Sequence, residues 1–422
     1  MNPSPSVLLV GLNYSPESTG IAPYSAGMAE ELAARGWQVR VISSFAHYPQ
    51  WSFLGGRPPR KEVRIEGAVR VVRRRHALPK KPGGVARALS ELSFGLATLT
   101  EAFGRPDAVV LVSPALISSA LALVKAKVIT RRPVIVWVQD LYTLGVKELG
   151  GRRSALAGRA IAAIERWVLR SSDKVVVIHE RFRDTVVQEF GLQPGAVAVV
   201  RNWSHLADIE PPNRGDARVA FGWEPEHFVV LHAGNMGLKQ GLENVVAAAR
   251  LANAQRSDVR FVLLGDGNQR ERLAELSSDV PTLSMIGSLP DDQFRLALSA
   301  ADALLVNERS GIEGMAVPSK LTSYFSTGLP VIAATDHGSI TESEVLLAAA
   351  GPVVRPDDPQ ALLDAAASLQ SDPALAAKMG ENGRQFRTSQ LDPRASFDRF
   401  AQLLKALTAG RKTDASSESG ND

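Results

Sequence analysis

Along the 422 residues, short runs of Val, Ile, Leu and Ala recur between longer stretches in which apolar residues return every three or four positions. Runs without alternation suit strands buried on both faces, and the longer stretches suit helices covering them, the signature of a mostly parallel sheet. The first half predicts strands at Val7–Gly11, Val39–Ser43, Val69–Val72, Ala108–Val112, Val134–Val138, Lys174–Ile178 and Val197–Val200, with helices such as Tyr24–Arg35 and Ala155–Arg170 between them. A second series predicts strands at Phe228–His232, Val259–Leu264, Leu283–Ile286, Ala303–Val306, Pro330–Ala333 and Val353–Val354. Its helices are expected at Gly241–Asn253, Gln269–Leu276, Asp291–Ser299, Ser319–Thr327, Pro359–Leu369 and Ala374–Arg387.

The polar, proline-bearing stretch Ser204–Asp216 separates the two series and reads as a linker. The expected fold is therefore α/β: two doubly wound domains, residues 1–205 and 206–392, facing each other across a cleft. Such sheets bind ligands outside the carboxyl ends of their strands. A further helical stretch, 393–410, is expected to cross back to the first domain, and 411–422 reads as a disordered tail. No segment is expected to serve as an export signal or membrane span: the charge-free stretch Ala108–Val124 is broken by Ser113-Pro114 and reads as strand, turn and buried helix.

Composition changes the picture in two places. There is no cysteine, which excludes a disulfide framework, a thiolate zinc site and a cysteine nucleophile, and seven scattered histidines argue against a histidine metal site. The formal charge of +4 hides an asymmetry, since residues 1–205 hold 28 Lys and Arg against 15 Asp and Glu, whereas 206–422 hold 20 against 29. A basic half suggests contact with phosphate groups on nucleic acid, an anionic membrane or a charged substrate.

Three loops of the second half carry candidate chemistry. Ala233-Gly234-Asn235-Met236-Gly237-Leu238-Lys239-Gln240-Gly241 follows its first strand, where backbone N–H groups and Lys239 suit a phosphate. Gly265-Asp266-Gly267 follows the next strand, and its glycines leave room for a flat ring such as a nucleobase. Glu308 to Lys320 bends through Gly311 and Gly314 and starts a helix at Pro318-Ser319 that ends at Gly328 before Pro330. The positive helix end and Lys320 together suit a diphosphate, while Glu308 and Glu313 are placed to accept hydrogen bonds from hydroxyl groups. In the first half, Asn13-Tyr14-Ser15-Pro16-Glu17-Ser18-Thr19-Gly20 lacks the dinucleotide glycine triplet, so hydride transfer is disfavoured, but Gly20 can still admit an anionic or hydroxylated ligand.

The order Gly-Asn-x-Gly-x-Lys-Gln-Gly, Gly-Asp-Gly, Pro-Ser-Lys and Thr-Gly-x-Pro-Val-Ile resembles retaining family-four glycosyltransferases of the GT-B fold, most closely the bacterial colanic-acid, capsule and O-antigen type. Asn13 to Glu17, His47-Tyr48-Pro49-Gln50-Trp51, Gln139-Asp140-Leu141-Tyr142 and Arg201-Asn202-Trp203 resemble the same subgroup, so the likeness covers about residues 6 to 400. The resemblance implies a nucleotide-sugar donor on the carboxyl domain and an acceptor on the amino domain. It puts Asn235, Gly237 and Lys239 near the diphosphate, Gly265, Asp266 and Gly267 near the base, and Gly314, Met315, Ala316, Pro318, Ser319 and Lys320 around sugar and pyrophosphate. The family's paired glutamates fall at Met315 and Ser323 here, which puts ribose recognition and the role of Glu313 in question.

Breaking an anomeric bond to a diphosphate builds negative charge on the leaving group, a task for Lys239, Lys320 and the Ser319 helix end. No Asp-x-Asp pair occurs, so no metal clamp and no cofactor are expected. In this fold retention is held to proceed by front-face attack, without an enzymic nucleophile. Asp140 is the candidate polar group on the acceptor side, and His47 either orients the acceptor or packs. Arg73, Arg74, Arg75, Lys80 and Lys81, with the apolar-faced helix Ala86–Phe103, suggest an anionic inner-membrane surface and a polyprenyl-diphosphate-linked acceptor. Nucleic acid is the rival partner, but no aromatic residue lies between Arg57 and Lys81. A nucleotide-sugar 2-epimerase of similar fold and a peripheral scaffold without catalysis stand as alternatives.

Overall fold

The computed structural model describes residues 4–17, 20–48, 50–79, 84–143, 152–203, 214–311 and 319–418. Contacts divide the chain into Met1–Asn202 with Pro393–Asp422, and Trp203–Asp392.

Among the described residues the first unit holds eight strands: β1 (Ser6–Val10), β2 (Gln38–Ser44), β3 (Lys61–Glu66), β4 (Val69–Arg74), β5 (Ala108–Ser113), β6 (Val134–Val138), β7 (Lys174–Val177) and β8 (Val197–Val199). Their order is β3-β4-β2-β1-β5-β6-β7-β8, parallel throughout except for the β3–β4 hairpin. Every residue of β5 and β6 is buried, as their unbroken apolar runs require. The periodicity did not signal β3. Its sequence, Lys-Glu-Val-Arg-Ile-Glu, lies at the sheet edge with no buried residue, so no hydrophobic face marks it.

The helix Pro393–Glu418 belongs to this first unit, where Phe400 packs on Trp137 with ring centroids 5.1 Å apart and Ser396 Oγ donates to the Arg201 carbonyl at 2.9 Å. It runs eight residues beyond 410, into the stretch expected as a tail. Nothing from Ala401 to Glu418 breaks a helix except Gly410, and a single glycine costs only about 1 kcal/mol. Residues 419–422 lie outside the described residues.

The second unit is a fully parallel sheet of six: β9 (Phe228–Ala233), β10 (Val259–Leu264), β11 (Leu283–Ile286), β12 (Ala303–Asn307), β13 (Val331–Ala334) and β14 (Val353–Val354). Their order is β11-β10-β9-β12-β13-β14, so the chain changes direction across the sheet between β9 and β12. Two buried apolar clusters cover its faces, one including Phe261, Leu263 and Leu362, the other Leu231, Phe325 and Phe386. The helix Ile340–Ala348, absent from the expected elements, starts at Ser339, whose hydroxyl accepts from the Glu342 N–H at 3.0 Å.

The expected linker is shorter than its composition suggested. Residues 204–213 lie outside the described residues, and a helix already starts at Arg214. Arg214 and the buried Arg218 both pair with Asp302 just before β12, which anchors that helix to the second sheet.

Candidate functional site

In the second unit the loops after β9 and β10 are bonded backbone to backbone. Gly234 N–H donates to the Leu264 carbonyl at 2.8 Å, Met236 N–H to that of Asp266 at 2.8 Å, and Gln269 N–H to that of Met236 at 3.0 Å. This closeness demands glycine: a Cβ on Gly265, at φ +131°, would lie 2.0 Å from the Gly234 carbonyl oxygen, and one on Gly267 would lie 2.4 Å from that of Met236. The Gly-Asp-Gly stretch therefore has a packing reason for its glycines, independent of any ring they receive. Asp266 is exposed and accepts from the Gly267 N–H at 2.8 Å.

The first of these loops is tied to β12 on its other side. Asn307 Nδ2, at the end of β12, donates to the carbonyls of Gln240 at 2.7 Å and Gly241 at 3.0 Å, and Arg309 N–H donates to that of Lys239 at 2.9 Å. Gly237 N–H donates to Gln240 Oε1 at 3.0 Å, which closes a short turn carrying Lys239; it and Asn235, just before the turn, are exposed at the carboxyl end of the sheet.

Lys320, in the first turn of the helix Ser319–Thr327, reaches this point. A Cβ on Gly234 would lie 2.8 Å from Lys320 Cε, so the glycine is also the lysine's passage. Its Nζ lies 3.0 Å from Nε2 of His232, a fully buried residue of β9. Nδ1 of His232 lies 3.2 Å from the Leu305 carbonyl of β12 and donates to it, leaving Nε2 as the acceptor for the ammonium. Burial drives the His232 pKa well below its ordinary value, assisted by the Lys320 charge, so the ring is neutral. Burial also pushes the Lys320 ammonium down to about 7, opposed by Glu308.

Glu308 is itself held by Thr335 Oγ1 at 2.5 Å and Thr341 Oγ1 at 2.8 Å. Burial raises its pKa, countered by those two hydroxyls and by Lys320. The hydroxyls it binds are thus the protein's own. Ser323, one turn after Lys320, is half-buried, and the neighbouring Tyr324 hydroxyl bonds both N and O of Ala233. Glu313, Gly314, Met315, Ala316 and Pro318 lie outside the described residues. Of the expected donor residues, the structure brings together Asn235, Gly237, Lys239, Gly265, Asp266, Gly267 and Lys320, at the point where strand order reverses. His232 was missed because a histidine ending an apolar strand run looks like core; Asn307, which ends its own strand run, gave the same weak signal.

In the first unit the motifs also converge. Glu17 is buried and accepts from the N–H groups of His47 at 2.8 Å and Tyr48 at 2.9 Å and from Asn13 Nδ2 at 2.8 Å. Burial alone would raise its pKa, but the bonds from His47, Tyr48 and Asn13 bring it below the ordinary value. Gly20, at φ +67°, sits where a Cβ would touch the Tyr48 ring at 3.4 Å. His47 is buried, its Nδ1 within 3.0 Å of the Phe45 carbonyl and its ring 4.9 Å from that of His76, so it packs and does not face a surface. Asn202 Nδ2 donates to Gln139 Oε1 at 2.7 Å, joining two more of the quoted motifs, and the adjacent Asp140 acts electrostatically on Arg87.

The basic run needs correction. Arg73 is buried, donating to the Ser15 carbonyl at 2.6 Å and to Glu66, because β4 is an interior strand and one of its faces points inward. Arg74 pairs with Glu101, and Arg75 donates to the Pro58 carbonyl at 2.8 Å. These three are engaged within the fold, and Lys80 and Lys81 lie outside the described residues. The helix Gly84–Leu99 is the opposite case. It turns Ser90, Glu91, Phe94, Gly95 and Thr98 inward and leaves Val85, Leu89, Leu92 and Leu96 exposed along one stripe. A Cβ on Gly95 would lie 2.7 Å from Leu121 Cδ1, so the small inner face lets the helix seat closely on Leu116–Val124.

Two doubly wound units, the second with cationic and glycine-rich loops at its switch point, define a two-domain α/β architecture with an anion-binding edge on the second sheet. Residues 19–203 match the family model described as glycosyl transferase 4-like domain, and residues 213–386 match glycosyl transferases group 1. The chain belongs to these glycosyltransferases, of the GT-B fold. The putative colanic acid biosynthesis glycosyl transferase WcaI of Escherichia coli is 29% identical over 354 residues, 80% of this chain and 86% of that one. The probable glycosyltransferase WbjE of Pseudomonas aeruginosa is 25% identical, covering 62% and 65%. Among solved structures, sucrose-phosphate synthase from Thermosynechococcus elongatus superposes with TM-score 0.77 at 19% identity over 96% of this chain and 100% of that one. WaaG, a glycosyltransferase involved in lipopolysaccharide biosynthesis, does so with 0.68 at 17% over 94% and 99%.

Proposed function

We propose that the protein is a retaining, metal-independent hexosyltransferase that moves a sugar from a nucleoside-diphosphate donor to a polyprenyl-diphosphate-linked acceptor during surface-polysaccharide assembly. The observation that carries the donor half is Lys320: a cation brought through the gap left by Gly234 to the switch point, beside the exposed Lys239 loop. A departing diphosphate gains negative charge as the anomeric bond breaks, and a pre-placed ammonium stabilises that charge without reorganisation. The relative named for colanic-acid biosynthesis supports the polysaccharide reading.

The acceptor half rests on the inverted helix Gly84–Leu99. An apolar stripe on the outside, in a half with a surplus of basic residues, suits insertion at an anionic lipid surface on the inner face of the plasma membrane. Among the described residues no helix is long and apolar enough to cross a membrane, so contact would be peripheral. Thermal-shift screening of UDP-, GDP- and ADP-sugars, followed by transfer to a polyprenyl-diphosphate sugar in vesicles, tests the proposal. Epimerisation of the donor sugar at C2 without transfer would favour the epimerase, and no donor turnover would favour the scaffold.

A further inference from the structure

We infer that His232 is a positioning residue for Lys320, presenting the ammonium to the donor diphosphate by accepting one of its hydrogens on a neutral ring. The inference rests on the donor reading above. A lysine buried beside a strand end ordinarily pairs with a carboxylate, which would cancel the charge a diphosphate needs. Here the carboxylate that acts on Lys320, Glu308, does so through space while hydrogen-bonded by Thr335 and Thr341, and the lysine's hydrogen bond at 3.0 Å goes to His232. The Tyr324 hydroxyl is committed to Ala233, and Asp336, which acts on Glu308, accepts from Gly311 N–H at 2.6 Å and Ser310 Oγ at 3.1 Å.

The histidine's tautomer is set from behind. Nδ1 faces the Leu305 carbonyl of the neighbouring strand, which only a protonated Nδ1 can satisfy, and the Asn235 backbone also bonds the ring; that tautomer leaves the Nε2 lone pair for Lys320. The acceptor is thus uncharged and rigidly backed by the sheet, and it directs the ammonium without neutralising it.

Two isosteric replacements separate positioning from support of the fold. The amide nitrogen of His232→Asn can replace Nδ1–H toward Leu305 but does not reach Lys320, whereas the amide oxygen of His232→Gln can replace Nε2 as acceptor. Each variant and the wild type are titrated by calorimetry with UDP, GDP and ADP and with the matching monophosphates. We expect the Asn variant to lose about 10-fold or more in diphosphate affinity, with monophosphate affinity unchanged, and the Gln variant to stay within about 3-fold of wild type. The reverse order, Asn near wild type and Gln impaired, would show a purely structural histidine and overturn the inference, as would an unchanged diphosphate-to-monophosphate ratio in both. If the wild type binds none of the six nucleotides, the donor reading itself falls, and the inference with it.

Discussion

Raising the pH from about 7 to about 9 should weaken nucleoside-diphosphate binding in a way traceable to one residue. The Lys320 pKa of about 7 in the free protein means that half its charge is already lost at neutrality. A phosphate oxygen about 4 Å from the ammonium, at an effective dielectric of about 20, favours the charged form by about 4 kcal/mol. That corresponds to about three pKa units, so the bound lysine would titrate near about 10. Binding then takes up a proton throughout this window, and the affinity falls by about 50-fold across the two pH units. The ligand's terminal phosphate titrates near about 6, and His232 lies well below its ordinary value, so neither contributes above neutrality. Calorimetry in two buffers of different ionisation enthalpy reads affinity and proton uptake together. Lys320→Met should bind weakly and without this slope. A flat wild-type profile, or the same slope in the methionine variant, would refute the reasoning. For the free protein the sign is opposite: a lysine with a depressed folded pKa makes stability rise with pH between about 7 and the unfolded value of 10.5.

Other perturbations test the framework. Gly265→Ala forces a Cβ onto a backbone oxygen at a strained φ and should destabilise the second unit by about 3–5 kcal/mol in urea unfolding, whereas Gly222→Ala, with positive φ and no neighbour within 4 Å among the described residues, should cost only about 1–2 kcal/mol. Glu17→Gln should cost about 2 kcal/mol at neutral pH, and the deficit should vanish as pH falls through the depressed Glu17 pKa, because the wild type then loses the same charged acceptor. Replacing Leu89, Leu92 and Leu96 with Ser should release the protein from sedimenting anionic vesicles while leaving its thermal midpoint within a few degrees, since these side chains are already in solvent. Arg73→Ser, by contrast, should lower the midpoint, because it strands Glu66 and the Ser15 carbonyl.

The positions of Lys239, Lys320 and the glycine loops were legible because each follows an apolar run that can only be a buried parallel strand, and such strands deliver their following loops to one edge. Arg73 was misread for the same reason in reverse: charge in a sequence says nothing about which face of a strand carries it, and pairing with β3, whose own pattern is silent, put Arg73 inside. The apolar face of the helix Gly84–Leu99 was legible from its period, and its Leu89, Leu92 and Leu96 are exposed as a surface role requires. The tertiary structure turns the other face inward, with Gly95 seated against Leu121, Phe94 buried and Glu91 accepting from Ile117 N–H.

What the chain determined by itself was therefore its periodicities: two α/β series, the loops between them, and a family likeness carried by short motifs. What the tertiary structure alone decided was partnership. Strand order brings β9 beside β12, though about 70 residues separate them, and so lets Leu305 set the tautomer of His232 and His232 hold Lys320. Hydrogen bonds between residues distant in the chain leave no periodic trace in it, because they depend on which strands become neighbours and not on the spacing within any one of them.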